Sequence, residues 1–84
     1  MVGNSGTWYP DRLVHELVLS RAYYTQLYKI FEWLELHVGP GLRYGNVTDQ
    51  SYAVATWCGE EVFGHLFLRF EKTDDLIKFQ LTWC

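Results

Sequence analysis

The two prolines of this 84-residue chain, Pro10 and Pro40, bracket its longest segment without a helix breaker. Pro10 has the fixed φ that suits the first position of a helix, and Asp11 follows where a carboxylate meets the positive end of the helix dipole. At the other end, Gly39 supplies the left-handed residue that closes many helices, and Pro40 cannot continue one. The sequence therefore predicts one long N-terminal helix over residues 10–38, about 42 Å in length.

The second half of the chain is rich in the β-branched and aromatic residues that favour strands. Three runs of this kind are separated by short gaps: residues 52–58, 62–70 and 76–83. The gaps contain Gly59-Glu60 and Thr73-Asp74, which are typical of tight turns. We therefore predict a three-stranded antiparallel meander that packs on the helix, in a single two-layer α+β domain over residues 1–84.

Two-residue turns place alternate residues of the predicted strands on opposite faces of the meander. The face that packs on the helix collects apolar side chains, with Phe79 among them. The other face, which we call the outer face, is half apolar and adjoins no predicted element, so we expect it to bind a partner. Its residues are Tyr52, Val54, Phe63, His65, Phe67, Arg69 and Lys78. A three-residue turn would reverse the strand over residues 52–58, so the facing of that strand is left open.

The predicted helix carries two apolar stripes, and one sheet covers only one of them. The first stripe is assigned to the core. The second stripe lies on a different side of the helix and consists of Leu19, Tyr23, Ile30 and Trp33. Either Trp8-Tyr9 and the loop over residues 41–50 cover this second stripe, or two copies of the chain associate through it. We favour the second alternative, which predicts a homodimer.

Composition limits the class of protein. Hydrophobic residues make up 49% of the chain and charged residues 20%, which excludes a disordered or coiled-coil chain. Five Phe, six Tyr and four Trp are present in a domain that buries only about 60% of its unfolded surface, so some aromatic side chains must lie outside. Neither a membrane span nor a signal peptide is recognisable. We expect a soluble cytoplasmic protein with a flexible lead-in over residues 1–8.

Metal-ligand patterns are incomplete in this sequence. His15-Glu16 begins like the helix of a zinc protease, but Leu19 stands where the second histidine belongs. His37 lies at the other end of the predicted helix, too far from His15 to share a metal ion with it. We therefore expect no metal and no other cofactor.

The two cysteines are expected to be free thiols without a catalytic role. The meander places Cys58 and Cys84 on strands that are not neighbours, about 10 Å apart, which is too far for a disulfide. Cys58 beside an exposed turn, with His65 nearby, has the residue types of a nucleophile and its base. The carboxylates of Glu60 and Glu61 would raise the pKa of that thiol and oppose thiolate formation. A thiol-dependent enzyme is therefore a remote alternative, and we expect no enzymatic activity.

Taken together, these features predict a small protein-binding module, a dimeric inhibitor or adaptor of a larger protein target, of the kind that phages and mobile elements encode. The alternative is a single-stranded nucleic-acid binder that uses the outer face. Tyr52, Phe63 and Phe67 would stack on bases, and Arg69 and Lys78 would contact phosphates. A net charge of −3 and the presence of only two cations on that face make this alternative weaker.

Overall fold

A computed structural model of the protein describes residues 8–84. Four strands form its sheet: β1 (His15–Leu19), β2 (Gly41–Arg43), β3 (Trp57–Val62) and β4 (His65–Phe70). The α-helices within the described residues are α1 (Leu27–His37), α2 (Asp49–Val54) and α3 (Thr73–Trp83), and a 3-10 helix (Arg21–Gln26) leads directly into α1. The predicted architecture, one long N-terminal helix on a three-stranded antiparallel meander, is therefore wrong. The predicted lead-in over residues 1–8 lies almost entirely outside the described residues.

The sheet is mixed, and its strand order is β1-β4-β3-β2. β4 is antiparallel to both of its neighbours, whereas β2 runs parallel to β3. The connection between β2 and β3 contains α2, as a parallel pair requires a crossover rather than a hairpin. β1 and β2 are therefore the two edge strands.

The predicted helix over residues 10–38 is wrong in its first half. Residues 15–19 are a strand, and Leu17 and Leu19 lie opposite Leu68 and Leu66 of β4. Helical structure starts at Arg21 and continues to the end of α1. The chain leaves the helix at Gly39, whose φ is +133° and whose N–H donates to the carbonyl of Leu34.

The predicted meander is wrong in its first and last strands. Residues 73–83 form α3, and Asp74 and Asp75 in its first turn suit the positive end of a helix dipole. Residues 49–54 form α2, which begins with a capping box between Thr48 and Ser51. The first turn also differs, because Gly59 lies inside β3 and not at a hairpin. A Cβ atom on Gly59 would come within 2.7 Å of the Phe31 ring, so this glycine permits close packing of α1 on the sheet.

The two faces of the sheet are covered unequally. The main core lies between the sheet and the helical layer formed by α1 and α3, and it includes the predicted core residue Phe79. A smaller cluster covers part of the outer face, which is the face of the sheet turned away from α1 and α3. Its buried members are Leu13, Leu42, Ala55 and Cys58, and Trp8 and Tyr9 pack against them. The outer face is therefore covered at the end near β2 and the N-terminal segment.

Candidate binding surface

The turn between β3 and β4 is made by Phe63 and Gly64. Val62 lies opposite His65 in the register, so the loop has two residues. Both loop residues have positive φ, +53° for Phe63 and +86° for Gly64, which is the signature of a type I′ turn. The carboxylate of Glu61 accepts a hydrogen bond of 2.6 Å from the Gly64 N–H and so closes the turn. This turn has the twist that suits two antiparallel strands.

Phe63 is an unusual residue for this position. The first loop residue of a type I′ turn is normally Asn, Asp or Gly, because a Cβ atom is unfavourable at positive φ. Phe63 is 88% exposed, so its ring lies in solvent at the tip of the hairpin. The turn thus projects a large aromatic side chain from the end of the sheet.

Three side chains on the outer face lie next to this tip. The buried side chains of β4 alternate with His65 and Phe67, which therefore face outward and are half-buried. Val62 lies opposite His65 on the same face. We call Val62, Phe63, His65 and Phe67 the hairpin patch. Val62 was not among the predicted residues, and its position opposite His65 follows only from the true turn.

The predicted outer-face residues do not form one surface. The structure brings together Phe63, His65 and Phe67, but only His65 and Phe67 lie on a strand, because Phe63 is in the turn and the predicted strand over residues 62–70 starts at His65. It places Tyr52 and Val54 on α2. It places Lys78 on α3, where the ammonium group donates a 3.0 Å hydrogen bond to the carbonyl of His37.

Arg69 lies on the outer face, but its charge is already balanced. Its guanidinium is 2.7 Å from the Glu16 carboxylate and 4.6 Å from the centre of the Tyr9 ring. Because Lys78 lies on α3, the nucleic-acid alternative is left with one of its two cations on this face, and a carboxylate pairs with that one.

The second stripe lies inside a single chain. Leu19 and Ile30 are buried in the main core, with exposures of 3% and 0%. Tyr23 and Trp33 are half-buried and pack against this core, and the Tyr23 hydroxyl donates to the carbonyl of Trp83. The stripe is thus covered by the sheet and by α3, not by Trp8-Tyr9 or the loop over residues 41–50. Only the exposed fractions of Tyr23 and Trp33 remain for a dimer seam through these four side chains.

Cys58 is not a candidate nucleophile in this fold. It lies inside β3 with 1% exposure, and burial raises the pKa of its thiol from 9.0 to about 12. His65 lies opposite Val62, four positions further along β3, which corresponds to about 13 Å at the usual rise of a strand. Within residues 8–84, no three His, Cys, Asp or Glu side chains come together as metal ligands.

Thiol modification checks this placement. At pH 8 we expect Ellman's reagent to modify one thiol of the native protein, the exposed Cys84, and to modify Cys58 only after unfolding. Because the pKa of Cys58 is raised on folding, its burial stabilises the fold below pH 9 and this contribution is lost as the pH rises towards 12. A Cys84→Ser variant is the control and should show no rapid reaction at pH 8. Rapid modification of Cys58 in that variant would contradict its placement in the core.

Comparison with protein-family models, curated proteins and solved structures finds no match to this chain. Among residues 8–84, no helix has the length and apolar character needed to cross a membrane.

Proposed function

We propose that this protein is a small protein-binding module that acts on a larger protein target as an inhibitor or adaptor, and that the hairpin patch contacts the target. The observation that supports this proposal is the conformation of Phe63, a bulky residue at positive φ with 88% of its surface exposed. Left-handed backbone costs an L residue about 1–2 kcal/mol. Within the described chain the exposed ring gains little burial to offset this cost.

A protein partner would supply the missing burial. Burying a Phe side chain fully contributes about 1.5–3 kcal/mol, which is large enough to offset a backbone cost of about 1–2 kcal/mol. Aromatic anchors at the centre of a patch are also the residues that contribute most to protein interfaces. Half-buried Val62 and Phe67 would surround the anchor and exclude water from it.

The charges around the patch indicate the chemistry of the target. Glu60 lies opposite Phe67 on the outer face, and Glu61 is exposed beside the turn. The Arg21 side chain also lies against Gly64 of the turn, so the rim of the patch carries both signs of charge. A complementary target would carry an apolar pocket for Phe63 and a basic group opposite Glu60 and Glu61. We place this interaction in the cytoplasm, because Cys58 and Cys84 are both free thiols, which suits a reducing compartment.

Phe63→Asn tests the proposal. Asparagine tolerates positive φ, so we expect this variant to be more stable by about 1 kcal/mol, which raises the Tm of a domain of this size by about 4–8 °C. We expect the same variant to lose its target. The measurement is thermal unfolding together with quantitative capture from nuclease-treated extract of the source cells, using immobilised wild type and variants.

The matched control is Leu81→Asn, because Leu81 is 84% exposed but lies on α3. It should capture the same proteins as the wild type. Equal capture by the Phe63→Asn variant would contradict the proposal, and a lower Tm would show that the ring of Phe63 supports the fold. Binding that is found in untreated extract but disappears with nuclease, and that weakens steeply with salt, would favour the nucleic-acid alternative.

A further inference from the structure

β1 is an edge strand, and no other strand within residues 8–84 pairs with its outer side. β1 pairs with β4 on one side over five residues, from His15 to Leu19. Within residues 8–84, the backbone groups on its other side make no hydrogen bond to other backbone. Unpaired N–H and C=O groups in a row are a template for another strand.

β1 carries few of the devices that protect an edge strand, because its one carboxylate, Glu16, is paired with Arg69 of the same chain. Such strands normally carry an exposed Lys, a Pro or a bulge, or they are very short. The sequence of β1 contains neither Lys nor Pro, and its pairing with β4 is residue for residue, without a bulge. Val18 on the strand is 46% exposed, and Val14 just before it is 63% exposed. By contrast, the opposite edge β2 has only three residues.

We propose that two copies of the chain pair through β1 in antiparallel fashion, with the two-fold axis at Val18, to form one continuous eight-stranded sheet. In this register Val18 lies opposite its own copy, Leu17 opposite Leu19, and Glu16 opposite Ser20. Apolar residues therefore meet apolar residues, and a carboxylate meets a hydroxyl. Such an interface is isologous, because the same surface serves both copies.

Charge also favours a second copy as the occupant. The carboxylate of Glu16 is 2.7 Å from Arg69 of its own chain, so β1 brings no unbalanced anion to the interface. A two-fold axis at Glu16 would set two carboxylates directly opposite each other, which is destabilising. An axis at Leu17 would set Glu16 against Val18. An axis at Leu19 would set Val18 against Ser20 and Leu17 against Arg21. The axis at Val18 avoids all of these mismatches.

This inference goes beyond the proposed function and does not depend on it. Val18 lies opposite Phe67 of the hairpin patch in the register of β1 and β4. A two-fold axis perpendicular to the sheet keeps both outer faces on the same side. The dimer would therefore present two hairpin patches on one face and bind a multivalent target with avidity.

Cross-linking tests the register. In a Cys84→Ser background, a Val18→Cys substitution places two thiols directly across the two-fold axis, where Cα atoms are about 4.5–5.5 Å apart and a disulfide fits. Mild oxidation should convert this variant to a covalent dimer of twice 9.9 kDa. Glu16→Cys in the same background is the control, because its two copies lie four positions apart in the register, about 13 Å, and should stay unlinked. Cross-linking through Leu17→Cys but not through Val18→Cys would overturn the register.

Sedimentation equilibrium tests the association itself. We expect the wild type to be a dimer at tens of micromolar and Val18→Lys to be a folded monomer, because two Lys would face each other across the axis. Val14→Lys adds the same charge just outside the strand and should remain dimeric. A monomeric wild type would overturn the proposal. If deletion of residues 1–7 then produced a dimer, the N-terminal segment of the same chain would be the occupant of the edge.

Target binding by the hairpin patch and dimerisation through β1 can be contradicted independently of each other. Val18→Lys should lose self-association, and this outcome is measured by sedimentation alone, because Val18 lies opposite Phe67 of the hairpin patch. Phe63→Asn should lose the target but sediment as a dimer. A Val18→Lys variant that remains dimeric overturns the β1 interface and leaves the hairpin patch as it stands.

Discussion

An Ile30→Glu variant is expected to have no folded state under conditions in which the wild type is stable. Ile30 has 0% exposure and belongs to the main core between the sheet and the helical layer. An unpaired carboxylate buried there costs several kcal/mol. A core of this size supplies only about 3–5 kcal/mol of stability in total. Circular dichroism and the dispersion of amide proton resonances should both show an unfolded chain.

Tyr28→Glu is the matched control for this prediction. Tyr28 lies on the same helix, α1, and is 80% exposed, so the same charge is added on the solvent side. The free energy of unfolding of this variant should lie within about 0.5 kcal/mol of the wild-type value, as is usual for surface substitutions. A folded, monomeric Ile30→Glu protein would contradict the core placement of Ile30 and restore the helix-to-helix dimer seam.

Gly41→Ala is expected to lose most of the stability of the domain. A Cβ atom on Gly41 would lie 2.0 Å from the nearest atom of the Trp57 ring. That ring cannot move aside easily, because it is fully buried, is stacked on Phe31, and donates a hydrogen bond of 2.8 Å from Nε1 to the carbonyl of Gly39. Overpacking a core costs about 1–3 kcal/mol of stability. Because this contact is so short, we expect the Gly41→Ala substitution to cost about 3 kcal/mol or more. The midpoint of urea unfolding measures the loss.

Gly45→Ala separates steric overlap from backbone strain. No atom lies within 4 Å of a Cβ built on Gly45, although its φ is +94°. An alanine at position 45 should lower the free energy of unfolding by only about 1–2 kcal/mol, because it must adopt a left-handed backbone conformation. Equal unfolding midpoints for the Gly41→Ala variant and the wild type would show that Trp57 does not pack on Gly41.

Part of the candidate site was predictable because it depends on local alternation. His65 and Phe67 lie on the outer face because every second residue from Leu66 to Phe70 is apolar and buried. Phe63 was predicted for the same surface, but its exposed position at the hairpin tip was not. The signal for the turn was Gly64, yet Gly59-Glu60 has more typical turn residues, and a Phe is rare as the first residue of a type I′ turn.

In the segment that forms α3, a helical pattern was present in the sequence but was outweighed by a composition that favours strands. Its aromatic and β-branched composition favours a strand. The spacing of Leu76, Phe79 and Trp83 by three and four positions is helical, and these residues face the core. Asp74 and Asp75 suit the first turn of a helix. The burial of Phe79 was predicted correctly, because this side chain faces the core both in the predicted strand and in the helix α3.

By itself, the sequence determined the features that depend on a few neighbouring residues: the end of α1 at Gly39, the alternation along β4 and the burial of Phe79. Only the tertiary structure decided that residues 15–19 are a strand. Their apolar spacing fits a helix and a strand equally well, and the choice depends on a non-local gain, the pairing of Leu17 and Leu19 with β4. That gain comes from residues about 50 positions away along the chain, so no local pattern records it. The same pairing leaves β1 at the edge of the sheet, which is why the proposed dimer surface became visible only in the fold.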